Sequence, residues 1–235
     1  GNRAILKPSE QTPRFSELLQ ERIEQTFERE VVAVVTGGPE VAAAFTRLPF
    51  DHLVFTGSTS IGRKVAAATA DGLVPTTLEL GGKSPTVVCP SASIPKAAKA
   101  IAYGKFVNAG QTCIAPDYVF APRAKAVELA EQIMAEARRA YPDLGRDYST
   151  MISERSFDRM IAAVEEAEQG GARVLRHPVL PDRAKRLVPP IMVLDAPETC
   201  ALMREEIFGP VLPIVAYDTL GDALDWIGER PHPLA

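Results

Sequence analysis

Strand-like and helix-like segments alternate through the first 80 residues, and this alternation constrains the fold more than any other feature of the sequence. Residues 31–35 (VVAVV) form a continuous apolar run that is typical of a strand buried on both faces. Before this run, Thr12-Pro13 predicts the start of a helix with Thr12 as its cap. The apolar stripe of that helix is predicted to lie in the core and comprises Phe15, Leu18, Leu19, Ile23 and Phe27. The alternation predicts an α/β fold with a Rossmann-type parallel sheet.

A glycine-bounded turn joins a strand predicted at residues 52–56 to a helix predicted at residues 63–70. The turn has the sequence GSTSIG, residues 57–62. Because the first N–H groups of a helix are free and point along the helix dipole, Gly57, Ser58 and Gly62 are candidates for binding an anion. The spacing differs from the general G-x-G-x-x-G fingerprint, so a tight packing turn is the structural alternative.

Glu79 and Cys113 carry the reactive chemistry of the central part of the chain. A thiol is a usable nucleophile near neutral pH when its surroundings favour the thiolate. A carboxylate can act as a general base when its pKa is raised toward the working pH. Glycines at positions 81, 82 and 110 permit a ligand to approach closely. The structural alternative is a small buried cysteine and a surface glutamate.

Several segments together resemble the aldehyde dehydrogenase superfamily. LELGGKSP (78–85) and NAGQTCIAPDYV (108–119) are similar to its two signature segments, and the second resembles the class 3 branch of fatty-aldehyde and coniferyl-aldehyde dehydrogenases. KPSE (7–10), FTGSTSIG (55–62) and EEIFGP (205–210) extend the match in the family's order over nearly the whole chain. The resemblance implies that Cys113 is the catalytic nucleophile and that Glu79 is the general base.

The resemblance also implies a dinucleotide site. Lys7 and Glu10 are expected beside the adenosine ribose, where a carboxylate favours NAD over NADP, although NADP is possible as well. Gly57, Ser58 and Gly62 are expected on the diphosphate side of the cofactor. The nicotinamide side is expected to contact Glu206, through ribose hydroxyls, and Phe208, beside the nicotinamide ring.

The family's domain order implies that residues 1–81 are a partial NAD-binding domain and that residues 82–235 are the catalytic domain. The chain is expected to be an internal piece of a longer protein, because it lacks an initiating methionine and the family's proteins are much longer. The Asn that completes the family's oxyanion hole is expected outside this piece, so the piece alone is expected to be weak or inactive.

Composition excludes several other classes of function. The net charge is −4 and the basic residues are scattered, which argues against a nucleic-acid partner. No apolar run is long enough for a membrane span, and three cysteines without a Cys-x-x-Cys pair indicate a reducing, cytoplasmic setting without a metal site. Cys89 and Cys200 are expected to be structural, and Cys89 is expected to be buried and inert. By analogy with the class 3 branch, the full-length protein is expected to be a homodimer.

The expected reaction is oxidation of an aldehyde to the carboxylic acid through a cysteine thiohemiacetal and a thioester. The class 3 resemblance indicates an aromatic substrate such as coniferyl aldehyde, or a medium or long aliphatic aldehyde. One alternative is an acylating dehydrogenase that passes the acyl group to coenzyme A or phosphate. The other is a non-catalytic scaffold of the same fold.

Overall fold

The computed structural model describes all residues from Gly1 to Ala235. They form two compact units, residues 1–79 and residues 80–235. None of the helices has the length and apolar character that a membrane crossing requires.

The first unit contains two strand pairs and their connecting helices. Its elements are β1 (Ala4–Leu6), α1 (Pro13–Thr26), β2 (Val32–Val34), α2 (Pro39–Phe45), β3 (Leu53–Gly57), α3 (Thr59–Ala70) and β4 (Thr76–Leu80), whose last residue begins the second unit. β1 pairs in parallel with β2, and β3 pairs with β4 in a separate sheet. The predicted alternation of strands and helices is therefore confirmed.

The apolar stripe of α1 is mostly exposed, so its predicted place in the core is wrong. Phe15 is 60% exposed, Leu18 49% and Phe27 45%, while Leu19 and Ile23 are partly buried. The predicted two-face burial of residues 31–35 is wrong as well, because the strand is shorter than the run and only partly buried. The physical reason is that a two-stranded sheet offers too little surface to cover a whole helix face.

The side chain of Thr12 does not cap α1, which corrects a second prediction. Thr12 is the residue at the cap position, but its hydroxyl donates to the carbonyl of Ser9 at 3.3 Å. The preceding turn thus supplies a competing acceptor, and the hydroxyl takes no N–H of the helix.

The second unit is built around a five-stranded sheet. Its elements are β5 (Pro85–Val87), α4 (Ile94–Phe106), β6 (Tyr118–Pro122), α5 (Ala126–Ala140), α6 (Leu144–Asp147), α7 (Glu154–Gln169), β7 (Arg173–Arg176), β8 (Ile191–Leu194), α8 (Ala201–Arg204), β9 (Val211–Tyr217) and α9 (Leu220–Gly228). The strand order is β5-β6-β9-β8-β7, with only the edge strand β7 antiparallel to its neighbour. This is a mostly parallel sheet, as the α/β prediction requires.

Helices cover both faces of this sheet. All four residues of β8 are buried, and they alternate between two apolar clusters. Met192 and Leu194 face the cluster that contains α4 and α5, whereas Ile191 and Val193 face the one that contains α7. Because successive side chains of a strand point to opposite faces, a strand covered on both sides must be apolar throughout.

Of the two cysteines expected to be structural, only Cys200 is buried, at 3% exposure. Cys89 is exposed, so the prediction for it is wrong. The reason is that β5 ends at Val87, and Cys89 already opens a turn in which its carbonyl accepts the N–H of Ala92 at 3.0 Å.

Candidate active site

Cys113 lies on an exposed loop between α4 and β6. α4 ends at Phe106, and the chain then makes a tight turn in which Asn108 and Ala109 both have left-handed backbones, with φ of +52° and +53°. Gly110 follows with φ of +72°. The reversal of direction after the helix places the thiol on a loop instead of in the interior.

Gly110 is required where it stands. A Cβ there would overlap the carbonyl oxygen of Gly209 and would lie 3.0 Å from the carbonyl oxygen of Lys105. Both obstacles are backbone atoms that cannot rotate away. The close approach joins the loop before Cys113 to the Gly209-Pro210 turn of the EEIFGP segment.

The side chain of Gln111 holds the same loop through three hydrogen bonds. Its Oε1 accepts the N–H of Ile152 at 2.8 Å, and its Nε2 donates to the carbonyls of Thr150 at 3.0 Å and Asn108 at 3.1 Å. In the sequence, Gln111 stood out only as part of a motif, and no local pattern indicated this role. These hydrogen bonds fix the backbone two residues before the thiol.

Glu79 lies on β4 at the end of the first unit, and its side chain is exposed. Cys113 belongs to the second unit. Each group is therefore accessible to solvent in its own unit, as a nucleophile or general base must be to meet a ligand.

The turn from β3 into α3 fits the anionic part of a dinucleotide. Ser58 occupies the cap position of α3 without a side-chain cap bond, and its hydroxyl lies 3.1 Å from that of Ser60. The N–H groups of Ile61 and Gly62 donate to the Ser58 carbonyl at 3.1 and 2.9 Å. The N–H groups before them donate to no side chain of the protein, so the start of this helix is open to a phosphate.

Lys7 and Glu10 form an ion pair directly after β1. Lys7 Nζ lies 3.8 Å from Glu10 Oε2 and donates to the Pro8 carbonyl at 3.1 Å. The lysine is largely buried and the carboxylate half exposed, with 10% and 45% of the side chains exposed. Glu10 can therefore accept hydrogen bonds from ligand hydroxyls while Lys7 holds it in place.

Glu206 lies against the glycines of the 78–85 segment. A Cβ on Gly81 would overlap its carboxylate, so any larger residue there would displace the Glu206 side chain. Burial raises the pKa of the Glu206 carboxyl, although a hydrogen bond from the backbone N–H of Gly82 acts in the opposite direction. Two residues later, Phe208 is 39% exposed with a left-handed φ of +45°. The second unit thus presents a half-buried carboxylate and an accessible aromatic ring from one short segment.

Two charged residues that sequence reasoning did not single out lie near this segment. Lys83 and Asp117 form a partly buried ion pair. Both lie within the segments quoted for the resemblance, but nothing in the local pattern indicated that they would pair. Both side chains bind the backbone around Glu206.

Lys105, on α4, is a third missed residue. It is 1% exposed, and burial lowers the pKa of its ammonium to about 8, against the opposing attraction of Asp117. An amine this deeply buried is rare unless it is paired. Its position on the buried face of a helix was indistinguishable, by sequence, from that of a solvated lysine.

The comparisons with known proteins agree with this fold. The chain matches the aldehyde dehydrogenase family over residues 1–234 and belongs to that family. The resemblance found in its motifs is therefore confirmed. A protein of Caulobacter vibrioides named "Probable coniferyl aldehyde dehydrogenase" is 44% identical over an alignment of 241 residues that covers 100% of this chain and 50% of that protein.

Solved structures show the same architecture. The substrate-bound state of Staphylococcus aureus AldH matches with a TM-score of 0.94 and 36% identity, over 100% of this chain and 51% of the other. A Mycobacterium tuberculosis aldehyde dehydrogenase complexed with NAD+ matches with a TM-score of 0.84 and 31% identity, over 95% of this chain and 48% of the other. The chain thus has the aldehyde dehydrogenase fold and spans about half the length of the relatives it matches.

Proposed function

We propose that the protein to which these residues belong oxidises an aldehyde to a carboxylic acid with NAD or NADP. The observation that carries this proposal is the exposed Cys113 on a loop held by hydrogen bonds, within a chain that belongs to the aldehyde dehydrogenase family. The relative from Caulobacter vibrioides supports an aromatic substrate such as coniferyl aldehyde, with medium or long aliphatic aldehydes as the other class.

Cys113 is the proposed nucleophile. Its thiolate sulfur forms a bond to the carbonyl carbon, and the former carbonyl oxygen takes the negative charge of a tetrahedral thiohemiacetal. No backbone carbonyl accepts the N–H of Cys113, so this group is free to donate to that oxyanion. The thiohemiacetal then loses a hydride, which leaves an acyl thioester on the sulfur.

Glu79 is the proposed general base. Its carboxylate takes a proton from water, the resulting hydroxide bonds to the thioester carbon, and the carbon–sulfur bond breaks. The products are the carboxylic acid and the regenerated thiolate. The solvent-exposed position of Glu79 supports this role.

A bound nicotinamide dinucleotide supplies the hydride acceptor for this reaction. The first unit would hold it through the open helix start at Gly57, Ser58 and Gly62, and through the Lys7–Glu10 pair at the ribose. The second unit would hold it through Glu206 and Phe208. This assignment makes the first unit part of the cofactor domain and the second unit the catalytic domain. A cytoplasmic homodimer is the proposed state of the whole protein.

The test is NADH formation by the full-length protein with a panel of aromatic and aliphatic aldehydes. Activity that is lost in Cys113→Ala supports the proposal, and the panel ranks the substrates. Turnover only when coenzyme A or phosphate is added would assign the acylating reaction instead. A protein that is inactive in every assay but folded would contradict catalysis and leave the scaffold interpretation.

A further inference from the structure

The backbone of the Glu205–Ile207 segment is held by charged side chains from three separate parts of the second unit. These side chains are Lys83, Asp117 and Arg159. The segment carries Glu206 and leads directly into Phe208, the two residues proposed to contact the nicotinamide side of the cofactor. Their positions therefore depend on how firmly this backbone is fixed.

One side of the segment is held by the Lys83–Asp117 ion pair. Lys83 Nζ donates to the carbonyls of Leu202 at 2.7 Å and Glu205 at 3.1 Å. Asp117 Oδ1 accepts the N–H of Ile207 at 2.8 Å. Asp117 is only 3% exposed, so this anchor lies inside the protein.

The other side is held by Arg159, from the second turn of α7. Its Nη1 donates to the Glu206 carbonyl at 3.0 Å, and its Nη2 donates to the Ile207 carbonyl at 2.6 Å. A planar guanidinium that binds two successive carbonyls restricts rotation of the peptide between them. Arg159 also lines an open groove of about 360 Å³ that Glu206 and Ile207 border.

We propose that Arg159 is a positioning residue for cofactor binding, which acts by holding the Glu205–Ile207 backbone in the orientation that presents Glu206 and Phe208. The inference rests on the proposed function. The left-handed φ of Phe208 supports it, because a residue in that conformation persists only when its surroundings fix it. The Glu206 carboxylate lies against Gly81, and a Cβ at that position would displace it.

The test compares three variants of the full-length protein. Arg159→Met removes both hydrogen bonds but keeps an unbranched side chain. Arg159→Lys keeps the charge but has a single donor nitrogen in place of the planar guanidinium. Arg155→Met is the matched control, because Arg155 lies one turn earlier on α7, is exposed and takes part in no ion pair. Three quantities are measured: Kd for NAD and NADP, KM for the aldehyde, and hydrogen exchange of the backbone amides of residues 205–209.

Arg159→Met is expected to weaken binding of NAD and of NADP by roughly tenfold, and to speed exchange of the Ile207 amide by a similar factor, since two charge-assisted hydrogen bonds are lost. KM for the aldehyde is expected to stay within about twofold. Arg159→Lys is expected to restore part of both losses, and Arg155→Met is expected to change neither.

Unchanged exchange and unchanged cofactor binding in Arg159→Met would overturn the proposal. Weaker binding of NADP alone would also overturn it, because that result indicates direct contact with the 2′-phosphate instead of positioning. A wild-type protein that bound neither dinucleotide would overturn the proposed function itself. Faster exchange in Arg159→Met would then still support the structural half of the inference.

Discussion

Replacing Gly110 with alanine tests how the fold presents Cys113. The new Cβ adds two separate costs: a left-handed backbone at φ of +72°, and overlap with the backbone of Gly209 together with a tight contact to that of Lys105. The first cost is about 1 kcal/mol for a residue other than glycine. The second is about 2 kcal/mol, since overpacked sites relax only by moving backbone. The free energy of unfolding is therefore expected to fall by about 3 kcal/mol.

A matched substitution at Gly171 separates the cost of the left-handed backbone from the cost of the steric overlap. Gly171 also has a positive φ, of +96°, but a Cβ there would meet nothing within 4 Å. Gly171→Ala is therefore expected to lose only the backbone term, about 1 kcal/mol. Urea unfolding of both variants and of the wild type gives the difference directly.

Reactivity of the thiol completes the comparison. In Gly110→Ala the overlap is expected to displace the loop that carries Cys113, so aldehyde oxidation falls and the rate of thiol alkylation changes. Gly171→Ala is expected to keep both wild-type rates. Equal losses of stability in the two variants, with wild-type alkylation of Cys113 in both, would refute the claim that contact with Gly209 fixes the loop.

The other predictions concern the thiols, the cofactor segment and the buried amine. Cys113→Ala is expected to abolish NADH formation, whereas Cys89→Ala, which removes another exposed thiol, is expected to retain it. Loss of NADH formation only in Cys89→Ala would contradict the assignment of Cys113 as the nucleophile. Gly81→Ala is expected to raise KM for NAD severalfold by displacing the carboxylate of Glu206, and an unchanged KM would contradict that contact. Folding lowers the pKa of Lys105 from 10.5 to about 8, so the unfolded chain binds more protons than the folded chain between these two pH values. The free energy of unfolding of the wild type, relative to Lys105→Met, is therefore expected to rise by about 3 kcal/mol as the pH increases across this range. If the free energies of unfolding of the two proteins, measured with urea, changed with pH in parallel, the pKa of Lys105 would be the same in the folded and unfolded states.

The sequence predicted the local order of the fold well. A strand was predicted at residues 52–56, and β3 spans Leu53–Gly57. A helix was predicted to follow the glycine-bounded turn and to end at residue 70, and α3 ends at Ala70. Such features depend on short-range periodicity and on glycine chemistry, which the chain carries at each position.

Burial was predicted less well, because it depends on which elements pack together. The stripe of α1 has the spacing of a core helix, yet Phe15 and Leu18 remain exposed on a unit with only two-stranded sheets. Cys89 stands in an apolar run but falls after the end of its strand. Periodicity identifies the face of an element that can be buried, and only the neighbouring layer decides whether it is.

The amino-acid sequence by itself determined the family, the strand and helix order, and the candidate residues Cys113, Glu79 and Glu206, because each belongs to a local motif. Only the tertiary structure showed that Gly81 makes room for Glu206 and that Arg159 and Asp117 bind the backbone of one segment. These partners lie 47 to 125 positions apart in the sequence, from Arg159 with Glu206 to Gly81 with Glu206. No local pattern records such a pairing, since it exists only after the sheet and its covering helices have brought the segments together.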